Sequence, residues 1–220
     1  MLSMVAAATL GCASAGSMQT AHTLGKGKGQ LGIELSEQAL VTRDSVAAYP
    51  MLGVAGRYGV SERIDLGGRI GPSGLELQMK FQLTAPPPST VASIAPRAAI
   101  YAFDPGGVAI RSYNFGLPVL VGIALPREHQ LVLGPTVHNM LFSLSAGSAA
   151  GIVDTTYVGS TVGIAWKMPA TRTPIRLVTE LGALCPVIVY TDRYDGVGGV
   201  SWGGSKWTLQ ANLGFLIGGT

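Results

Sequence analysis

The sequence contains 220 residues, of which 12% are charged and 47% are apolar. This length allows one domain, and the low charge together with 31 glycines excludes an ordinary soluble enzyme, in which about 25% of residues are charged. The formal charge of +3 comes from scattered lysines and arginines rather than a basic cluster, so no nucleic-acid partner is expected.

The first eleven residues have the form of a secretory signal segment. Residues 1–10 are small and apolar, and the small residues Gly11-Cys12-Ala13-Ser14 follow, which predicts export. Glycine immediately before cysteine resembles a bacterial lipobox, which implies lipidation of Cys12, although Thr9 stands where leucine is usual. Plain signal cleavage and a buried structural thiol are the alternatives. Residues 12–28 are small, polar and rich in glycine and lysine, which predicts a flexible tether.

From residue 29 onward the sequence alternates between apolar and polar residues. Between Leu75 and Thr84 every odd position is apolar and every even position is polar, and the same period of two recurs from Trp207 to Ile217. Segments of about ten residues match the 9–11 that cross a bilayer at a tilt. After the first dozen residues there is no apolar run of about 18 residues, so strands rather than helices are expected to account for the apolar composition.

Turn signals divide residues 29–220 into ten predicted strands. The connections are short and rich in proline, glycine, aspartate and serine, which predicts an antiparallel meander. The predicted strands lie near residues 29–36, 50–60, 64–70, 74–84, 92–103, 110–125, 131–142, 156–168, 175–190 and 206–217. The predicted fold class is therefore all-β: an antiparallel up-and-down transmembrane β-barrel of about ten strands, with 8–12 possible. Four prolines inside these strands require bulges or edges: Pro96, Pro118, Pro135 and Pro186.

One segment resembles a known family. The residues Tyr58-Gly59-Val60-Ser61-Glu62-Arg63-Ile64-Asp65-Leu66-Gly67-Gly68-Arg69 are similar to the strand, short periplasmic turn and strand of Gram-negative outer-membrane β-barrel proteins. The resemblance implies a barrel in the bacterial outer membrane, with membrane lipid as its partner and both termini on the periplasmic side. It implies no activity, and it leaves any protein partner unknown. The ending Gly218-Gly219-Thr220 departs from the terminal aromatic residue of that family.

The apolar face of the barrel is expected to meet lipid, because its stripes lack charge and aromatic residues lie near their ends. Tyr58, Phe81, Trp166 and Phe215 form one predicted level, and Tyr113 and Trp207 form the other, as in interfacial aromatic girdles. The polar face then lines the interior. The predicted interior charges are Glu34, Arg57, Asp65, Arg69, Glu76, Lys80, Arg97, Lys167, Arg176 and Glu180. They form either a narrow small-solute pore or an interior filled by salt bridges.

The connection Gly71-Pro72-Ser73-Gly74 predicts the register of two strands. A two-residue loop centred on Pro72 and Ser73 makes opposed residue numbers sum to 145. Arg69 then faces Glu76, and Asp65 faces Lys80, so that both complementary pairs lie on one face of the sheet.

Catalytic signals are weak, and a non-enzymatic protein without cofactor or metal is expected. None of His22, His129 and His138 has a metal ligand at a suitable spacing, and Ser143 and Ser160, the possible partners of His138, belong to no recognisable motif. The glycine-rich Gly196-Val197-Gly198-Gly199 is interpreted as a loop. The predicted function is a structural element or narrow channel of the outer membrane. The alternatives are a lipid-tethered soluble barrel that carries an apolar ligand and a barrel enzyme that acts on membrane lipid.

Overall fold

The computed structural model describes residues 18–41, 46–72, 74–85, 89–103, 108–146, 149–169, 172–193, 199–202 and 207–219. In this part of the chain one antiparallel sheet closes on itself as a barrel, because β10 pairs with both β9 and β12. The strands are β1 (Gly29–Val41), β2 (Val46–Ser61), β3 (Ile64–Gly71), β4 (Gly74–Gln82), β5 (Thr90–Ile94), β6 (Arg97–Phe103), β7 (Val108–Ala124), β8 (Gln130–Ala146), β9 (Ala149–Lys167), β10 (Ile175–Arg193), β11 (Gly199–Trp202) and β12 (Trp207–Gly218).

These strands form ten positions around the barrel wall. β5 and β6 together occupy one position between β4 and β7, and β11 and β12 both pair with β10 along different parts of its length. The only helical element among the described residues is the 3-10 turn Pro126–Glu128. No helix in the described part of the chain is long and apolar enough to cross a membrane. The predicted ten-stranded antiparallel barrel is confirmed.

All ten predicted strands are present. The main error of the prediction is the position of the strand ends at one end of the barrel. β8 and β9 continue to Ala146 and back from Ala149, whereas the sequence pattern predicted strands only near 131–142 and 156–168. The missed residues are rich in serine, alanine and glycine and carry no alternating apolar signal. Pairing to neighbouring strands extends the structure there without a hydrophobic pattern.

Three of the four strand prolines lie at irregularities of the sheet, as their missing N–H requires. Pro96 lies in the break between β5 and β6. The pairing of β7 with β8 is interrupted between Pro118 and Val121, and the register of β10 against β9 shifts after Pro186. Pro135 remains in β8, opposite Ser160.

The apolar face points outward and the polar face inward. Along β12, Trp207, Leu209, Leu213 and Phe215 are exposed, whereas the alternate residues from Thr208 to Leu216 are buried. A soluble barrel would have the opposite arrangement, with its polar residues in water. The predicted orientation of the two faces is therefore correct.

The strand register gives the tilt of the barrel. Starting at Trp166 on β9, one can move from each residue to its pairing partner on the next strand until the path has gone once around the wall. The path passes through Phe215, Ile70 and Tyr113 and returns to β9 at Asp154, twelve residues from Trp166. Such a stagger over ten strands corresponds to a tilt of about 40°, so each residue advances about 2.5 Å along the barrel axis.

This geometry tests the two predicted aromatic levels. All six aromatic side chains lie on the outward-facing positions of their strands. From the register, Tyr58, Phe81 and Trp166 lie within about 3 Å of one height, with Phe215 slightly above them. Tyr113 and Trp207 lie about 24 Å higher, close to the roughly 25 Å of an outer-membrane apolar band.

The two ends of the barrel differ. The terminal end carries Gly29 and Gly218 and the turns at 62–63 and 126–128, and its strands end close to the lower aromatic level. At the opposite, distal end, β8, β9 and β10 continue past the upper level by about 15 Å. The structure is therefore asymmetric along the barrel axis.

Candidate functional site in the barrel lumen

The centre of the lumen is occupied by an ion-pair network on β1, β3 and β4. The guanidinium of Arg69 lies 2.5 Å from a carboxylate oxygen of Glu34 and 2.6 Å from one of Glu76. Glu34 and Glu76 are buried, and Arg69 is nearly so. The predicted pairing of Arg69 with Glu76 is confirmed, with the predicted register between β3 and β4. The second carboxylate belongs to Glu34 on β1. The register between β3 and β4 alone could not predict this contact.

A second ion pair lies nearer the terminal end. The Nζ of Lys80 is 3.1 Å from Asp65, and both side chains are fully buried. This is the other pair that the register predicted. Lys80 also donates to the backbone carbonyl of Thr20 at 3.2 Å, so the pair contacts a segment that comes before the first strand.

That segment, residues 18–24, is here called the plug, because it lies inside the barrel. Its backbone N–H groups donate to side chains of the wall: that of Ala21 to Gln130 at 3.0 Å, and that of Leu24 to Asp65 at 2.9 Å. Met18, Gln19, Thr20, Ala21 and Leu24 are all buried. A buried amide needs an acceptor, and the lumen supplies one for Ala21 and one for Leu24.

Residues 12–28 were predicted to form a flexible tether. For residues 18–28 this prediction is wrong, because they form the plug and the turn that follows it. Gly25 and Gly27 have φ of +81° and +78°, a conformation open to glycine, and they turn the chain from the lumen into the barrel wall at β1. The amide of Gly27 then donates to the carbonyl of Gly59 at 2.8 Å. A side chain at Gly59 would meet the Gly25 carbonyl oxygen at 2.0 Å, so glycine is required there. Cys12 lies outside the described residues, and its lipidation stays a prediction.

Opposite walls of the lumen also bind the plug through side chains. Gln19 accepts hydrogen bonds from Arg57 and from Gln78, each at 2.8 Å. Ser93 donates to the carbonyl of Ala21. The methyl side chain of Ala21 packs against buried apolar residues of the wall, namely Val91, Ala95, Leu120 and Val132. Because β2, β4, β5 and β8 all contribute contacts, the plug crosses the lumen instead of lining one side.

The remaining predicted charges lie at three different heights. Glu180 is buried and accepts a hydrogen bond from Asn212 at 2.8 Å, and Arg97 is buried on β6. Lys167 and Arg176 lie on inward-facing positions at the terminal rim, where Lys167 pairs with Glu128 at 2.6 Å and Arg176 donates to the Glu128 carbonyl. The hydrogen bond from Lys167 lowers the pKa of the exposed Glu128 carboxyl. Eight of the ten predicted charges thus lie within the lumen and two at its mouth.

His138 lies deep in the lumen beside Arg97. A side chain at the intervening Gly116 would meet Arg97 at 2.6 Å and His138 at 3.0 Å, so glycine leaves the space that both occupy. His138 is on an inward-facing position of β8, whereas Ser143 and Ser160 are on outward-facing positions. The structure therefore brings neither of these possible catalytic partners to His138. Among the described residues there is no group of three potential metal ligands.

The lumen has little free space between the plug and the central network. A cavity of about 20 Å³ lies between Met18, Arg57 and Arg69. This volume accommodates a single water molecule, because a water needs about 10–15 Å³ on this measure. The cavity between the plug and the network is therefore too small for a hydrated solute.

Sequence reasoning missed the residues that bind the plug. Gln82 lay on the predicted polar face, and Gln130 lay just before the strand predicted near 131–142. The role of both as acceptors depends on a segment whose composition resembles a linker. The signal was present in Gly25 and Gly27, whose spacing permits a chain reversal immediately before the first strand.

The closed sheet, the apolar exterior between two aromatic levels and the polar lumen define a transmembrane β-barrel. No family model matches the sequence, and no curated protein matches it.

Among solved structures, the chain is similar to Neisserial surface protein A (8% identity, 86% of this chain and 96% of that chain, TM-score 0.45). It is also similar to a major outer membrane protein from Thermus thermophilus (13%, 86% and 98%, TM-score 0.42). A third similar structure is the outer membrane protease OmpT of Escherichia coli (9%, 87% and 94%, TM-score 0.40). The β-barrel that the sequence resemblance implied is the fold of this chain. Similarity this distant assigns no function to the chain.

Proposed function

We propose that this protein is a non-enzymatic, integral β-barrel of the bacterial outer membrane whose lumen is closed by its own N-terminal segment. The observation that carries the proposal is the plug, held by hydrogen bonds to four parts of the wall. A barrel with its lumen filled by ion pairs and by its own chain is suited to a structural role in the membrane. Membrane lipid is then its partner, and no cofactor is required.

The asymmetry of the barrel supports an orientation with both termini in the periplasm. Outer-membrane barrels have short periplasmic turns and longer extracellular extensions. The terminal end has strands that stop near the lower aromatic level, whereas β8, β9 and β10 extend beyond the upper one. Export through a signal segment fits the same orientation.

A narrow channel is the second candidate, because the plug is bound mainly by side chains rather than as a strand of the sheet. Its hydrogen bonds with Gln130, Asp65 and Arg57 can be broken without loss of any strand pairing. Below the central network such a channel would be lined by Arg57, Lys80 and Asp65. Displacement of the plug is the condition for conduction.

Conductance in planar bilayers separates the two candidates. The full-length barrel is expected to show no single-channel steps. The triple variant Gln19→Ala, Asp65→Ala, Gln130→Ala serves as the open-state reference. It removes one plug side chain that the wall binds and two wall side chains that bind the plug. Steps from the unmodified barrel would contradict the closed structural role and favour a channel. A hydrolytic or proteolytic activity of the purified barrel would contradict the non-enzymatic proposal.

A further inference from the structure

Polar side chains lie on the outer face of β7, β8 and β9 just above the upper aromatic level. Arg111 is two residues beyond Tyr113 on β7, which places it about 5 Å above that level. Asp154 is two pairing steps from Tyr113, through Leu141, and lies about 6 Å above it. Both residues are therefore at the height where lipid headgroups would surround the barrel.

Arg111 is an exposed cation on this face. The next residue, Ser112, is buried toward the lumen, so Arg111 points outward. Among the described residues Arg111 forms no ion pair. Its register partner on β8 is Ser143, which is also on an outward-facing position. Because a guanidinium binds phosphate through two parallel hydrogen bonds, Arg111 is suited to a phosphate group at this height.

Asp154 is oriented by a neighbouring side chain on β8. The Nδ2 of Asn139 donates to Asp154 Oδ1 at 2.6 Å and to Thr156 Oγ1 at 3.2 Å. These hydrogen bonds hold the carboxylate but supply no positive charge, and in the described part of the chain Asp154 forms no ion pair. The carboxylate is therefore fixed in position and suited to a cation from outside the protein.

Arg111 and Asp154 are spaced for one headgroup. They lie two strands apart, and their register partners on β8, Ser143 and Leu141, are two residues apart. The two Cα atoms are therefore about 12 Å from each other. Because both residues lie at nearly the same height, this separation runs around the barrel rather than along its axis. It leaves room for a phosphate beside Arg111 and an ammonium beside Asp154.

Apolar side chains lie directly below these charges on the same outer face. Phe115 and Leu117 continue the outward side of β7 and are 57% and 49% exposed. Val137 on β8 and Val158 on β9 are in register with Leu117 and are also exposed. The acyl chains of a lipid can lie along this apolar surface while its headgroup contacts the charges above.

We propose that the outer face of β7, β8 and β9 binds a zwitterionic lipid headgroup, with its phosphate on Arg111 and its primary ammonium on Asp154. The occupant follows from charge complementarity, because one cation and one carboxylate at headgroup height match one phosphate and one ammonium. A choline headgroup has no N–H to donate to Asp154, and a glycerol headgroup has no cation. Phosphatidylethanolamine should therefore bind more tightly than phosphatidylcholine or phosphatidylglycerol. The site rests on the proposed membrane location and adds selectivity for one class of lipid to it.

Photo-crosslinking tests the site in the full-length barrel reconstituted into phosphatidylcholine vesicles. Three probes are compared at the same low mole fraction, each with a diazirine in the upper part of one acyl chain: phosphatidylethanolamine, phosphatidylcholine and phosphatidylglycerol. Mass spectrometry measures labelling at Phe115, below the site, and at Leu209, which lies at a similar depth on the outer face of β12. The ratio of Phe115 to Leu209 labelling should be about tenfold higher with the phosphatidylethanolamine probe than with the other two, as one charge-assisted hydrogen bond allows.

Two substitutions separate the roles of the charges. Arg111→Gln removes the phosphate contact and should lower the labelling ratio with all three probes. Asp154→Asn keeps an acceptor for Asn139 but removes the negative charge, so it should abolish only the preference for phosphatidylethanolamine. Glu62→Gln and Arg63→Gln, at the exposed turn of the terminal end, are the matched controls and should change neither ratio nor preference. Heat-modifiable migration on gels shows that each variant has folded.

Four outcomes would contradict the proposals. Equal labelling ratios with the three probes overturn the headgroup site and leave the membrane proposal intact. A preference for phosphatidylethanolamine that survives both Arg111→Gln and Asp154→Asn also overturns the site. Phosphatidylglycerol labelling equal to that of phosphatidylethanolamine overturns the assignment of a zwitterionic headgroup. Absence of labelling at both Phe115 and Leu209 with every probe contradicts the membrane location itself.

Discussion

Arg69 provides the strongest test of how the lumen is stabilised, because one cation neutralises two carboxylates. Replacing Arg69 with glutamine leaves Glu34 and Glu76 facing the same space without a counter-charge. Replacing Glu76 with glutamine keeps the Arg69–Glu34 pair and a hydrogen-bond acceptor opposite the guanidinium. We therefore expect Arg69→Gln to be the more damaging of the two substitutions.

The magnitude follows from burial and geometry. The side chains of Arg69 and Glu34 are 11% and 6% exposed, so solvent screens them little. Removing one partner of a buried ion pair costs about 3–5 kcal/mol, and we expect Arg69→Gln to cost about 3 kcal/mol, since the neighbouring Arg57 remains in the lumen. Glu76→Gln should cost about 1 kcal/mol, the value of a typical hydrogen-bond change. The double variant should lose at least about 1 kcal/mol less than the sum of the two.

Urea unfolding of the barrel from phospholipid vesicles, followed by tryptophan fluorescence, measures these differences. Glu37→Gln is the matched control, because Glu37 lies on β1 only three residues from Glu34 but faces outward. Its effect should be additive with that of Arg69→Gln. Additive effects of Arg69→Gln and Glu76→Gln, or a larger loss from Glu76→Gln, would refute the shared network.

Three further predictions concern the outer surface, the plug and the N-terminus. Near the middle of the apolar band, Leu77→Arg and Leu213→Arg should each lower the stability of the barrel by about 2–4 kcal/mol and abolish heat-modifiable migration. The control Leu83→Arg, below the lower aromatic level, should cost about 0–1 kcal/mol. Equal effects at the three positions would contradict the apolar band. Asp65→Asn should make the amides of Ala21 and Leu24 exchange faster with deuterium, while Glu62→Gln at the exposed turn should not; unchanged exchange would show that Asp65 does not hold the plug. Cys12→Ser should abolish incorporation of a clickable fatty acid without loss of the barrel, and undiminished labelling would exclude the lipobox interpretation.

Much of the barrel could be predicted because its determinants are local. The period of two in Leu75–Thr84 fixes which residues face outward, and a two-residue connection after Gly71 fixes the register with β3. Both charged pairs follow from these facts alone. The aromatic levels were predictable for the same reason, since each aromatic residue occupies an end of an alternating stripe.

The plug and the full network depend on contacts between residues that are distant in sequence. Glu34 joins Arg69 across 35 positions, and Ala21 binds Gln130 across 109. A segment with the composition of a linker becomes ordered because the lumen offers acceptors for its amides, and no property of residues 18–24 alone reveals those acceptors.

The central claim is that the apolar exterior of this barrel lies in a membrane. Extraction of membranes with alkaline carbonate, after expression of the full-length chain in a Gram-negative host, tests this most directly. The account predicts that the protein stays in the membrane pellet and migrates in a heat-modifiable form, because its outward-facing side chains are embedded in lipid. Recovery of the folded protein in the carbonate supernatant would contradict the account.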